Sequence, residues 1–253
     1  PLSKELAEFF HAAGLLILEG YGLTETNSMT SVNRLNRYKF GTVGQLLHPD
    51  LEIRLAADGE ILTRGVTNLR SYYKQPEATR EAVDSEGWLH TGDIGEIDSE
   101  GFITITDRKK DLIKTSGGKY VAPQMIEGQL KLEPLVSQAV VIGDRRKYIT
   151  ALIAVNLDVA RKLLTDRGES VPADPAQLAM HAAVKDQLQA RVSEINRHLG
   201  SWEQVKYFRV LPRELTEADG ELTPTLKVKR KVVAERYASL IDEMYTEAPS
   251  DKD

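Results

Sequence analysis

Several short stretches of this sequence gather residue types suited to phosphate, sugar and carboxylate chemistry. The longest is Asp107-Arg108-Lys109-Lys110-Asp111-Leu112-Ile113-Lys114-Thr115-Ser116-Gly117-Gly118-Lys119, a charged joint running into a glycine pair. The glycines make the backbone permissive there; taken alone, such a joint also reads as a solvated linker. Upstream, Tyr21-Gly22-Leu23-Thr24-Glu25-Thr26 follows the apolar run Leu15-Leu16-Ile17-Leu18. A buried strand entering a glycine-punctuated polar loop is where open α/β sheets place their ligands. Gly20 and Gly22 let the backbone approach a ligand, and Tyr21 offers a flat ring. Thr24 offers a hydroxyl for a phosphate oxygen, and Glu25 a hard oxygen suited to Mg²⁺. In Thr91-Gly92-Asp93 the carboxylate can accept two vicinal hydroxyls, although a lone Thr-Gly-Asp is more often a turn capping its own backbone. Lys227, Lys229, Arg230 and Lys231 stand at the start of a helical pattern, where positive charge opposes the macrodipole. A functional reason is expected for at least one of them.

Those residues need elements to hold them. Leu6 and Phe10 suggest a short helix, and Leu15–Leu18 reads as a buried strand of the all-apolar kind found in parallel sheets. From Gly41 to Thr106 the pattern is β. Leu51–Leu55 and Glu60–Gly65 flank an Asp58-Gly59 turn, and Asp84–Trp88 and Asp98–Phe102 echo each other as turns entering strands. Beyond the joint the chain becomes mainly helical. A helix is expected over Pro123–Lys131, with proline near its first turn. Strands are expected at Val136–Ile142 and Tyr148–Val155, and a loop around Pro172 and Pro175. Val184, Leu188, Val192, Ile195 and Leu199 mark an amphipathic helix, with His181 at the border of its stripe. One closing helix is expected through Val233, Tyr237, Leu240, Ile241 and Met244.

The totals restrict the function further. With 253 residues there is room for one large or two ordinary domains, and a formal net charge of −5 gives no general attraction to nucleic acid or anionic lipid. The absence of cysteine excludes disulfides, thiolate metal sites and a cysteine nucleophile. Five scattered histidines give no zinc pattern, and His90 reads as a packed or solvent-facing side chain. No apolar run approaches the roughly 20 residues that span a bilayer, and a cytoplasmic location is the expectation. Pro1, with so little sequence upstream to pair with the Leu15–Leu18 run, leads us to expect the C-terminal part of something longer.

Together the motifs resemble the adenylate-forming superfamily, and within it the long-chain fatty acyl-CoA synthetases (fatty acid–CoA ligases). The matching stretches are Tyr-Gly-Leu-Thr-Glu-Thr at 21–26, Gly-Glu-Ile-Leu-Thr-Arg-Gly at 59–65, Gly-Trp-Leu-His-Thr-Gly-Asp at 87–93, the joint extended to Pro123, and Leu-Thr-Pro-Thr-Leu-Lys-Val-Lys-Arg at 222–230. They stand in the family's order across nearly the whole chain. Leu226 occupies the place where other branches usually put glycine before the final lysine.

The resemblance implies an α/β (α+β) protein. Residues 1–109 would be the β-rich tail of a large N-terminal adenylation domain, and 110–253 a small mobile α+β C-terminal domain. It implies ATP, Mg²⁺ and CoA as cofactors and a fatty acid as substrate; peripheral membrane association stays open. Lys227 would be the catalytic lysine, with Thr24 on phosphate and Glu25 on Mg²⁺. Tyr21, Gly22, Thr24, Asp93 and Arg108 would bind the nucleotide. Lys110 would be the hinge, and Lys114, Gly117 and Gly118 would serve the thioester-forming step. The family's phosphate loop has no counterpart here, so the chain is expected to be inactive alone. A non-catalytic nucleotide-binding module, and a ligase for another carboxylic acid, remain as alternatives.

Overall fold

The computed structural model describes residues 2–246. The chain divides into two compact units, the first ending at Asp111 and the second beginning at Leu112.

The first unit opens with α1 (Lys4–Ala12), capped by the Ser3 hydroxyl, which accepts from the Leu6 amide. Strands β1 (Gly20–Leu23), β2 (Ser28–Val32) and β3 (Gln45–Leu46) form one antiparallel sheet. Strands β4 (Glu52–Leu55), β5 (Glu60–Arg64), β6 (Leu89–Ile97) and β7 (Ile103–Arg108) form a second, also antiparallel and paired in sequence order. Helix α2 (Pro76–Ala82) starts on a proline, whose missing N–H costs nothing in a first turn. Tyr21, Val43, Ile61 and Ile103 make the unit's buried cluster. The two echoing turns fold alike: Asp84 accepts from the Glu86 and Trp88 amides, and Asp98 from the Glu100 and Phe102 amides.

The apolar run Leu15–Leu18 corrects the sequence reading. It is not a strand, and Leu15 is 59% exposed. A strand persists only where its amides find partners, and the ladder begins five residues later, at Gly20↔Val32. The sheet it leads into is antiparallel, not parallel.

The second unit begins with the small ladder β8 (Ile113–Lys114) and β9 (Tyr120–Val121), followed by α3 (Pro123–Leu130). Its main sheet has the order β10 (Val136–Ile142), β11 (Ile149–Val155), β12 (Val205–Val210). The first pair is antiparallel and the second parallel. All seven residues of β11 are buried, as a central strand covered on both faces requires. Strand alternation sorts them. Ile149, Ala151, Ile153 and Val155 join a cluster with α3, α4 (Leu157–Asp166), α5 (Pro175–Ala179) and α6 (Ala182–Asn196). Leu152 and Ala154 point the other way, to Leu211, Leu222, and Val233 and Ile241 of α7 (Arg230–Arg236) and α8 (Ala238–Thr246).

Helix α4, capped by Asn156, and strand β12 were not anticipated, and His181 is the N-cap of α6, accepting from the Ala183 amide through Nδ1. The expected closing helix is two helices. The break falls at Tyr237 (φ −105°, ψ 26°), where Arg236 and Tyr237 both reach the carboxylate of Glu221. Tertiary bonds override helix propensity there.

Candidate functional site

In the first unit the pairing of β6 with β7 places Asp93 opposite Arg108. The Asp93 carboxylate is 3% exposed, yet both of its oxygens are engaged. Oδ1 accepts from Arg108 Nε at 2.7 Å and Oδ2 from the Tyr21 hydroxyl at 2.5 Å. Tyr21 comes from 72 residues away in sequence, on β1. Burial, and the acceptor Asp93, hold the Tyr21 phenol well above the ordinary tyrosine range, so it remains a donor. Three of the expected nucleotide residues thus meet in one bonded group, whose half-exposed guanidinium is its outermost part.

The Gly22–Thr26 loop adjoins it. Gly22 lies at a register shift in the β1–β2 pair, and a Cβ there would overlap the Ser28 carbonyl and Met29 backbone. Glycine is therefore required by the hairpin itself. Thr24 and Glu25 lie on a 3₁₀ turn closed by Thr26, whose Oγ1 accepts from the Leu23 amide. Thr24 is exposed. Glu25 Oε1 accepts from the Tyr72 hydroxyl at 2.9 Å, and its carbonyl accepts from the Leu69 amide.

Glu60, within the Gly59–Gly65 stretch, is a hub. It is 2% exposed. Oε1 accepts from the Gly92 amide, while Oε2 meets His90 Nδ1 at 2.9 Å and Lys109 Nζ at 2.8 Å. Burial pushes its carboxyl up, but Lys109, His90 and the Gly92 amide outweigh that and hold it below the usual carboxylate value. Glu60 thereby fixes the turn that carries Asp93. Lys109 also binds Asp58 at 2.8 Å, which ties down the residue before the expected hinge. Lys110 itself is exposed, on a 3₁₀ turn at Lys109–Asp111.

In the second unit, Lys114 is exposed on β8, its ammonium 5.4 Å from the Tyr120 ring centroid. Gly117 and Gly118 occupy the turn to β9. Gly118 has φ +78°, and its amide donates to the Thr115 carbonyl. Lys227 is exposed on a separate loop before α7. The Thr223 hydroxyl accepts from the Lys227 amide, and the Thr223 amide donates to the Lys227 carbonyl. Leu226, at the usual glycine position, adopts φ +59°, a left-handed conformation that L-residues seldom take. Among the described residues no group of three or more metal-ligating side chains occurs.

This mixed α/β fold is one the chain shares with the adenylation domains of carboxylate reductases. Residues 110–249 match the family described as the AMP-binding enzyme C-terminal domain, and the chain belongs to the AMP-binding enzymes. It is similar to the long-chain-fatty-acid–CoA ligase FadD15 of Mycobacterium bovis, 43% identical over 245 residues, covering 97% of this chain and 40% of that protein. Among solved structures it is similar to the adenylation domain of a carboxylate reductase from Mycobacterium chelonae (26% identical, TM-score 0.74, 98% of this chain and 38% of that one). It is also similar to the adenylation–carrier didomain of a carboxylic acid reductase from Segniliparus rugosus in complex with AMP (27%, TM-score 0.72, 98% and 34%). The chain spans about 40% of the length of the first of these relatives.

Proposed function

We propose that this chain carries the ribose-binding group, the catalytic lysine and the thioester-step loop of an ATP-dependent fatty acid–CoA ligase. Residues 1–109 are read as the end of the adenylation domain and 110–253 as its small partner domain. In the first half-reaction a carboxylate oxygen attacks the α-phosphorus of ATP, the bond to the β-phosphate oxygen breaks, and acyl-adenylate and pyrophosphate form. In the second the CoA thiol attacks the acyl carbon, AMP leaves, and the thiol proton is released. Bringing an anion to a polyanion requires positive charge where the new bond forms. Lys227 supplies it as a compact ammonium on a flexible stem. Asp93 and Arg108 hold the ribose, the Tyr21 ring borders the adenine, and Thr24 bonds phosphate. Glu25 would contribute an oxygen to Mg²⁺, which when bound would offset the charge of the phosphates. For the second half-reaction the small domain turns at Lys110, bringing Lys114 and the Gly117-Gly118 loop to the thiol.

The observation that supports this most is the Tyr21–Asp93–Arg108 group, a buried carboxylate held ready by two donors. Losing its charged hydrogen bonds to a ribose removes about 1.5–3 kcal/mol each. Asp93→Ala in the natural protein is therefore expected to weaken ATP binding about 100-fold or more by titration calorimetry, and unchanged affinity would remove Asp93 from the site. Lys227→Ala is expected to slow adenylate formation about 100-fold or more, read as ATP–pyrophosphate exchange, and to spare CoA transfer from preformed acyl-adenylate. A ligase for another carboxylic acid is the alternative reading. A panel of aliphatic and aryl acids in the exchange assay separates the two.

A further inference from the structure

Glu221 is a carboxylate at 0% exposure, six residues before Lys227, and no part of the chemistry above uses it. Its Oε2 accepts from Arg213 Nη1 at 2.8 Å and from the Thr216 amide at 3.0 Å. Its Oε1 accepts from Arg213 Nη2 and Arg236 Nη1, both at 3.0 Å, with the Tyr237 hydroxyl at 3.4 Å. Its backbone is engaged as well. The Glu221 amide donates to the Thr216 carbonyl, and the Glu221 carbonyl accepts from the Lys229 amide at 2.8 Å. One residue therefore clamps the loop ahead of Lys227, the backbone just beyond it, and the helix α7 that follows.

Between those clamps the loop is short and closed. Leu222 pairs with Val228 as an antiparallel bridge, and Thr223 and Lys227 bond each other across Pro224, Thr225 and Leu226. At the far end, Arg230 donates to both Glu127 carboxylate oxygens and to the Val141 carbonyl, fixing the start of α7 against α3 and β10. A buried carboxylate is costly unless fully paired, and well-packed apolar residues usually serve stability as well or better. What a fully bonded ion gives in return is a single geometry.

We propose that Glu221 is a positioning residue. Through Arg213, Arg236 and the Lys229 amide it holds the Leu222–Lys229 loop in the one conformation that presents the Lys227 ammonium for adenylate formation. The proposal rests on the role of Lys227 given above. It concerns the first half-reaction only, since in that reading Lys227 takes no part in thioester formation.

The test is Glu221→Gln in the natural protein, with two readouts. Hydrogen exchange at the Leu226, Lys227 and Lys229 amides is expected to quicken about tenfold or more, while β10 and β11 stay protected. ATP–pyrophosphate exchange is expected to fall about 10- to 100-fold, with transfer from preformed acyl-adenylate changed less than about threefold. Should Glu221→Gln fold poorly, Arg236→Gln is the milder variant, at a side chain 38% exposed. It is expected to show the same split in smaller measure, and Arg236→Lys to recover most of it. A folded Glu221→Gln whose loop amides exchange as in the wild type overturns the positioning role, as does an equal fall in both half-reactions. A wild-type rate of adenylate formation in Lys227→Ala overturns the functional reading instead, and the exchange measurement still decides whether Glu221 holds the loop.

Discussion

At the scale of single residues, the buried acids carry most of the consequence. Glu60 is the clearest case, because its folded carboxyl lies below the ordinary value of 4.5. A group whose folded pKa is depressed stabilises the fold above its unfolded pKa, and that contribution fades as pH falls through the folded value. The stability gap between wild type and Glu60→Gln, measured as urea midpoints, is therefore expected to be widest near neutrality and to narrow below about pH 4.5. A gap of constant size down through that range would mean that the ionised pair with Lys109 is not its source. Glu60 and Glu221 share a trait that hid them in the sequence. Each is one acid among many, and only its burial and its distant partners distinguish it. Thr-Gly-Asp marks Asp93 as a candidate, but nothing in the sequence gives its bond to a tyrosine 72 residues away.

At the scale of elements, alternation and helical spacing found what local sequence encodes: the hairpin over β4 and β5, the strands β10 and β11, and the helices α3 and α6. It failed where tertiary partners decide. Leu15–Leu18 has strand-like composition but no ladder to join, and the closing helix yields at Tyr237 to bonds with Glu221. Strand β12, Val-Lys-Tyr-Phe-Arg-Val, was passed over because its place beside β11 is settled by a parallel crossover of some 50 residues, which no short window contains. The central role of β11 has a measurable weight. Leu152 is fully buried on the face toward Leu222 and Val233, so Leu152→Ala is expected to cost about 2–5 kcal/mol in chemical denaturation. Because the cavity would open beneath the root of the Lys227 loop, a loss smaller than about 1 kcal/mol would show that this face collapses readily.

At the scale of the whole chain, the order of the motifs was the most informative feature of the sequence. Each is individually common, whereas their sequence of appearance along one polypeptide identifies the family to which the chain belongs. The two compact units keep the motifs separate, with Tyr21, Asp93 and Arg108 in the first and Lys114, Gly118 and Lys227 in the second. In the proposed function the second unit supplies Lys227 to one half-reaction and Lys114 and Gly118 to the other. A pocket of about 480 Å³ in the first unit, lined by Leu35–Lys39, Glu100 and Phe102, contains none of these residues.

The Asp93 carboxylate has a thermodynamic corollary. An acceptor already pinned by a phenol on one oxygen and a guanidinium on the other has surrendered its rotational freedom before any guest arrives. A sugar diol docking on its remaining lone pairs would not have to immobilise it, so that part of the association entropy is settled during folding. In Tyr21→Phe the pinning is loosened while the acceptor is kept, and the missing order would surface as a less favourable entropy of nucleotide binding.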